Sequence, residues 1–458
     1  MAQNILQLVN DQRAFFRTHK TIDPHFRIEY LKKLRTAIRA READIAAALK
    51  ADLGKSENEA FMCEIGLTLT ELTHQIRHAA KWSRGRRCST HLANFPAASF
   101  TVPEPYGVVL VMSPWNYPFM LTMEPVIGAI AAGNCCVIKP SAYSPATSAV
   151  IRTIISEVFP PEYAVVVEGG RAENTELLNQ HFNYIFFTGS VNVGRKVLEK
   201  AAQHITPVTL ELGGKSPCII DETANIPLAA ARVVFGKYLN CGQTCVAPDY
   251  VLIDRKVKDA FLAEVRRQIR KMFGDEALAN QDYGRIINRR HFDRLLGLID
   301  ETKLFHGGRS DAETLRIEPT VLTDVTPDDD VMQEEIFGPI MPVIAFDTID
   351  EAEAFISERD KPLALYLFTS DKATEARFLR WVPFGGGCIN DTIVHLASTE
   401  LTFGGVGQSG MGSYHGKKSF ETFSHEKSIL KKFTWLDLPF RYQPYTKTAL
   451  RLMKMLLK

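Results

Sequence analysis

Charge of one sign, long apolar runs and a cysteine framework are all scarce in this chain of 458 residues. Its 54 basic side chains stand against 53 acidic ones, a net charge of +1. A nucleic-acid-binding protein normally carries a marked basic excess, so that class is set aside. No stretch of about 18 or more apolar residues occurs, so no segment is expected to span a bilayer. The opening "MAQNILQLVNDQRAFFRTHK" lacks the basic start and apolar centre of a secretion signal. Eight cysteines are few for this length, and Cys135 and Cys136 are neighbours. Such usage reads as a reduced, cytoplasmic chain rather than a disulfide scaffold.

What is present is the alternation of an α/β protein. The length exceeds what one hydrophobic core organises, so two or three domains are expected. The first 80 or so residues read as helices: Ile28, Leu31, Leu34 and Ile38 recur at helical spacing, and Gly54 ends the run. Short extended pieces broken by prolines follow at about 84–106. Then "GVVLVMS", "CCVIKP", "YAVVVEGG" and "YIFFTGS" alternate with helical patterns, which predicts a doubly wound parallel sheet with ligands beyond the carboxyl ends of its strands. A second series, "YVLIDR", "MPVIAF" and "ALYLFTS", predicts a second α/β domain and a cleft between the two.

Four features carry candidate chemistry. "FFTGSVNVGRKVLEKAA" is a strand, a turn from Gly189 through Ser190 to Gly194, and a helix whose N-terminus favours an anion; a plain strand-to-helix turn reads equally well. Lys139 ends a strand where a switch-point ligand would sit, or is simply a solvated strand-end lysine. Glu211, beside Gly213 and Gly214, is a structural ion-pair partner or a general base with a raised pKa. Cys241 and Cys245 stand four apart in "YLNCGQTCVAPDY". No nearby histidine or second cysteine pair completes a metal site. Inert burial, a redox disulfide across one helix face, and a nucleophile stay open for these sulfurs.

Taken together, "SPWNYP" (113–118), "KPS" (139–141), "FTGS" (187–190), "LELGGKSP" (210–217), "GQTC" (242–245), "EEIFGP" (334–339) and "FGGVGQSGMGSYHG" (403–416) follow the order of the aldehyde dehydrogenase superfamily. The chain resembles that family over nearly its whole length, and most resembles class 3, the branch with the fatty and aromatic aldehyde dehydrogenases. Thr402 stands where relatives carry proline, a change confined to the local turn. The resemblance implies a doubly wound cofactor domain (1–83 and 107–209), an α/β catalytic domain (210–395), a small β bridging or oligomerisation element (84–106 and 396–440) and a helical tail (441–458). It implies NAD or NADP as cofactor and no metal. Cys245 becomes the nucleophile, Asn116 and the Cys245 N–H the oxyanion donors, and Glu211 the base that activates water for thioester hydrolysis. Trp115, Lys139, Gly189, Ser190, Gly194, Gly213, Glu335 and Phe337 become the cofactor contacts. Cys241 matches no catalytic position.

One departure bears on cofactor choice. Many relatives read Lys-Pro-Ser-Glu where this chain has "KPSAYSP"; Ala142 removes a carboxylate that would repel a 2′-phosphate, so NADP is expected alongside NAD. The tail "TKTALRLMKMLLK" places Lys447, Arg451, Lys454 and Lys458 on one stripe of an otherwise apolar helix with Thr446 as cap. Packing on the enzyme or a dimer mate, a lid over the substrate entrance, and weak membrane-surface contact all fit it. Class 3 relatives imply a homodimer. Trp115, Tyr117 and the tail favour an aliphatic or aromatic aldehyde. The rival readings are a cysteine-dependent esterase, which leaves the cofactor motifs idle, and a binding protein that has lost its chemistry.

Overall fold

The computed structural model describes residues 4–457. The N-terminal run is helical, as its spacing predicts, but breaks at Arg41 into Pro24–Ala40 and Glu42–Leu53; Gly54, at φ +72°, ends the second helix as expected. A π-helical turn, Phe61–Ile65, leads into the long helix Gly66–Trp82.

Two parallel sheets follow. The first orders its strands as Gly410–Met411, Val208–Glu211, Tyr184–Thr188, Val108–Met112, Cys135–Lys139 and Ala164–Val166. All are parallel except the two-residue edge Gly410–Met411, which runs antiparallel to Val208–Glu211. Chain order reverses between Val108–Met112 and Tyr184–Thr188, which makes that crevice the switch point where doubly wound sheets take ligands. The strands are near-continuous Val, Ile and Phe because helices cover both faces. The helix Met120–Ala132 is buried all round, as its apolar sequence requires.

The second sheet runs Leu304–His306, Thr320–Leu322, Ile340–Phe346, Tyr250–Asp254, Pro217–Ile220, Ala364–Phe368 and Gly386–Ile389. The run "VTLELGGKSPCII" therefore splits into two strands in different sheets, with residues 212–216 crossing between them. The extended pieces at 86–105 form Arg86–Cys88 and Ala97–Pro105, and the latter pairs along its whole length with Ser424–Lys432 in a separate antiparallel sheet. Within 396–440, Gly410–Met411 and the helix Gly416–Thr422 belong instead to the surroundings of the first sheet: that helix packs on Gly66–Trp82 and Met120–Ala132.

The tail forms the helix Lys447–Leu456, with Thr446 Oγ1 accepting from the Ala449 N–H at 3.1 Å. Ala449 is its buried residue, while Leu450 and Met455 are exposed. Lys458 lies outside the described residues. Among the described residues no helix is long and apolar enough to cross a membrane, and no cluster of potential metal ligands occurs.

Candidate active site

Four of the singled-out residues fall at or just past carboxyl ends of the first sheet: Asn116 beyond Val108–Met112, Lys139 at the end of Cys135–Lys139, Gly189 beyond Tyr184–Thr188, and Glu211 at the end of Val208–Glu211. Cys245 comes from the second unit, after the helix Ile226–Tyr238. No helix joins Cys241 to Cys245. The chain turns through Leu239–Gly242 with Asn240 and Cys241 at positive φ, so the two sulfurs do not share a face. Gly242 adopts φ +73°, and a Cβ there would strike the Gly338 carbonyl. Cys241 is buried in the core around Tyr250 and Tyr283. Cys245 instead faces a cavity whose wall is apolar, with Met120, Leu121, Phe235 and Phe403 among its lining. Cys63 lies on the same wall, its thiol pushed up to about 12 by burial.

The Cys245 loop is braced by a side chain of its own motif. Gln243 donates to the Asn240 and Arg285 carbonyls, both at 3.0 Å, and accepts from the Ile287 N–H at 3.0 Å. The Asn116 amide donates to the Gln243 carbonyl at 3.1 Å, tying it to the cysteine loop. An amide carries two N–H groups, so the second can meet a substrate oxygen. Tyr117 Oη lies 2.7 Å from Thr244 Oγ1 beside it.

Of the two relevant carboxyl groups, Glu211 is deprived of water and Glu335 is partly buried. Glu211 is 2% exposed, and neither oxygen has a hydrogen-bond partner among the described residues. Burial therefore holds its pKa well above the carboxylate range. Glu335 is pushed up to about 8, first by burial and then by Asp249, with the Gly214 N–H and Lys215 opposing. The Cys245 thiol is itself pushed up to about 12 by burial, Glu335 and Glu211, against the pull of backbone N–H groups. Burial and the two neighbouring carboxyl groups thus disfavour the thiolate.

The cleft beside the site is lined by Val191, Arg195, Gly213, Lys215 and Glu335. Three observations fit a dinucleotide there. Glu335 Oε1 is buried without a partner. A Cβ at Gly213 would collide with the Glu335 carboxyl, so only glycine leaves this approach open. The helix Val191–Ala202 begins at Ser190, whose side chain makes no capping bond, leaving its first N–H groups free for an anion. Gly194 is buried inside that helix, where a Cβ would strike Leu212. Trp115 and Phe337 meet edge to face at 5.3 Å, and Phe337 is held at φ +51°. Lys139 is buried and pulled down to about 8 by desolvation, with Glu173 and Glu168 opposing.

Two buried groups escaped the sequence reading. Lys55 and Glu64 form a fully buried pair at 2.5 Å. Lys55 also donates to the Asn116 carbonyl at 3.0 Å and sits 3.9 Å over the Tyr117 ring. Glu64 accepts from the Phe119 and Met120 N–H groups at 2.8 and 3.2 Å. The pair fixes the backbone that carries Asn116; two opposite charges inside an otherwise amphipathic N-terminal segment were the available signal. Lys237 is the other. Its Nζ is fully buried with no hydrogen-bond partner among the described residues, and desolvation pulls it down to about 8.

A thiol at an apolar cavity, two raised carboxyl groups acting on it and an open cleft alongside make up the site. The model of the aldehyde dehydrogenase family matches residues 2–429, and the chain belongs to that family. It is an enzyme acting on aldehydes with a nicotinamide dinucleotide. It is 48% identical to the 4,4′-diaponeurosporen-aldehyde dehydrogenase of Staphylococcus aureus over 96% of each chain. It is 43% identical to the dimeric NADP-preferring aldehyde dehydrogenase of Canis lupus familiaris, covering 96% of this chain and 98% of that one. A solved structure of Staphylococcus aureus AldH in its substrate-bound state superposes with a TM-score of 0.98 at 47% identity, over the whole of both chains.

Proposed function

We propose that the chain oxidises a medium- or long-chain aliphatic, or an aromatic, aldehyde to its acid through a covalent adduct on Cys245. The observation that carries this is the placement of one thiol: Cys245 faces the apolar cavity and is acted on by both Glu211 and Glu335. A carboxylate takes the thiol proton, and the sulfur adds to the aldehyde carbon to give a thiohemiacetal. The free Asn116 N–H and the Cys245 N–H receive the oxyanion, an interaction worth about 3–4 kcal/mol for one such donor. A nicotinamide dinucleotide held in the cleft beside Gly213 and Glu335 would supply the hydride acceptor that turns this adduct into a thioester on Cys245. Glu211 then takes a proton from water as the water oxygen attacks the thioester, and the acid leaves. A dry carboxyl suits that step because burial raises its pKa and so makes its ionised form a stronger base.

Glu335 and Phe337 are assigned to the nicotinamide end of the cleft, with Trp115 behind Phe337. Gly189, Ser190 and Gly194 frame the pyrophosphate at the helix N-terminus, Gly213 leaves Glu335 its space, and Lys139 takes the adenosine ribose. The first sheet is the cofactor unit and the second the unit that presents Cys245. Dimerisation through the exposed edge strand Ser424–Lys432, and a cytoplasmic location, complete the proposal; the edge exposes Ile429 and Leu430. The apolar cavity wall supports the choice of aldehyde, as does the relative named for a diaponeurosporen aldehyde. Growth of absorbance at 340 nm with aldehydes of increasing chain length and NAD or NADP tests this. Cys245→Ser must abolish it, and a serine variant working near the original rate sinks the proposal.

A further inference from the structure

The two oxyanion donors, Asn116 and the Cys245 N–H, sit on loops from different units, so their separation is set by whatever holds both loops. A closed cycle of hydrogen bonds joins those loops. The Asn116 amide donates to the Gln243 carbonyl at 3.1 Å. The Asn240 amide donates to that same carbonyl at 3.1 Å and to the Asn116 carbonyl at 2.8 Å. Asn240 is 2% exposed, and its Oδ1 has no partner among the described residues. A buried acceptor left unpaired destabilises a fold, so stability alone does not account for this cycle.

One short segment grips the cycle from both sides. The buried Lys55 ammonium spends one N–H on the Asn116 carbonyl and another on Glu64 Oε1, while its charge rests on the Tyr117 ring. Glu64 in turn takes the Phe119 and Met120 N–H groups, so the first loop is held at Asn116 and again at Phe119. Glu59 Oε1 accepts from the Asn240 N–H at 2.9 Å, which fixes the second loop where its backbone turns at φ +50°. Between Glu59 and Glu64, Met62 and Cys63 line the Cys245 cavity. The chain is π-helical over Phe61–Ile65, a distortion that recurs at functional sites. A buried ion pair adds little net stability over apolar side chains of the same volume, but its directed bonds fix where each loop stands.

We infer that Lys55, Glu59 and Glu64 are positioning residues for aldehyde oxidation: they hold the Asn116 amide and the Cys245 N–H at the separation that one oxyanion requires. This rests on the reading of Cys245 and Asn116 given above. The three act through the two loops rather than on the aldehyde. Their effect is large because a donor works only within about 2.7–3.1 Å of the oxyanion, and a misplacement of about 1 Å can cost about 10²-fold.

The test uses the full chain with NAD and aldehydes of two chain lengths, following NADH at 340 nm. Glu59→Leu, which loses the Asn240 bond, lowers kcat/KM by about ten- to a hundredfold, equally for both aldehydes. Glu59→Gln, whose amide oxygen still accepts from Asn240, stays near wild type. Lys55→Met combined with Glu64→Gln loses the Asn116 bond, keeps an acceptor for Phe119 and Met120, and falls as Glu59→Leu does. Should that pair not fold, the two Glu59 variants decide alone. The loss in the Lys55 pair vanishes in an Asn116→Ala background, where the donor it positions is already gone. Alkylation of Cys245 by iodoacetamide, which displaces iodide and builds no oxyanion, keeps its wild-type rate throughout. Wild-type kcat/KM in Glu59→Leu or in the folded Lys55 pair overturns the inference. So does an equal loss in Glu59→Gln, or alkylation that falls in step with turnover, the mark of a collapsed pocket. A wild type that makes no NADH, or an Asn116→Ala variant with full activity, defeats the reading of the site itself, a result visible without any Lys55 or Glu59 variant.

Discussion

Replacing Lys237 with methionine should make the protein more stable at pH 7. The side chain is 0% exposed, its Nζ has no partner among the described residues, and its pKa falls from 10.5 to about 8. The first cause is burial; Asp249 and Glu335 pull the other way. A base whose folded-state pKa is depressed binds fewer protons folded than unfolded between pH 8 and 10.5. Its cost is therefore complete below about 8 and disappears as pH rises to 10.5. A shift of that size corresponds to about 3 kcal/mol at 1.36 kcal/mol per unit. Methionine keeps nearly the same unbranched volume without the charge, so little of the gain is lost to repacking. Urea unfolding of both proteins at pH 6, 7 and 9.5 measures it. The variant should gain up to about 3 kcal/mol at the two lower values and progressively less above pH 8. A variant less stable at pH 7, or a gain that does not shrink at high pH, refutes the argument.

Glu211→Gln should leave a first burst of NADH and slow steady turnover by about 10²–10⁴, because only hydrolysis needs the base; stopped flow separates the phases. Asn116→Ala should lower kcat/KM about 10²–10³-fold, the loss expected for one oxyanion donor, with little change in dinucleotide affinity. Wild-type kcat/KM for NADP should lie within about a hundredfold of that for NAD, and Ala142→Glu should widen the gap through like-charge repulsion; stronger wild-type discrimination removes the argument. Deleting 446–458 should alter chain-length preference if the tail is a lid, liposome binding if it meets membranes, and stability alone if it only packs on the enzyme.

Much of this was written in local pattern. The apolar strands and their Gly or Pro endings located the first sheet, because buried parallel strands need such runs. The motifs also drew attention to Cys245, Glu211 and Asn116; Glu211 ends a strand, while Cys245 and Asn116 lie in loops. What could not be read was anything set by approach of distant segments. A disulfide across one helix face needed a helix through Cys241 and Cys245; a turn stands there instead, where Asn240 bonds to Glu59 and to the Asn116 carbonyl, 181 and 124 residues away in sequence. Likewise, "YAVVVEGG" yields only the three-residue strand Ala164–Val166, since pairing with Cys136–Ile138 is all its neighbour supplies. The Lys55–Glu64 pair and Lys237 were passed over because their significance lies in being dry, which one-dimensional spacing does not encode.

Glu211 ends a strand of the first sheet while Cys245 sits in a loop before a strand of the second; the sheets are joined in sequence by residues 212–216 and tied laterally by Asn116 to Gln243. Their mutual reach is therefore a property of how two bodies sit together rather than of either alone. Gentle heating or mild denaturant that lets those bodies drift should extinguish turnover while each half still retains its helices and strands, and a dinucleotide clamped across the seam should delay that loss.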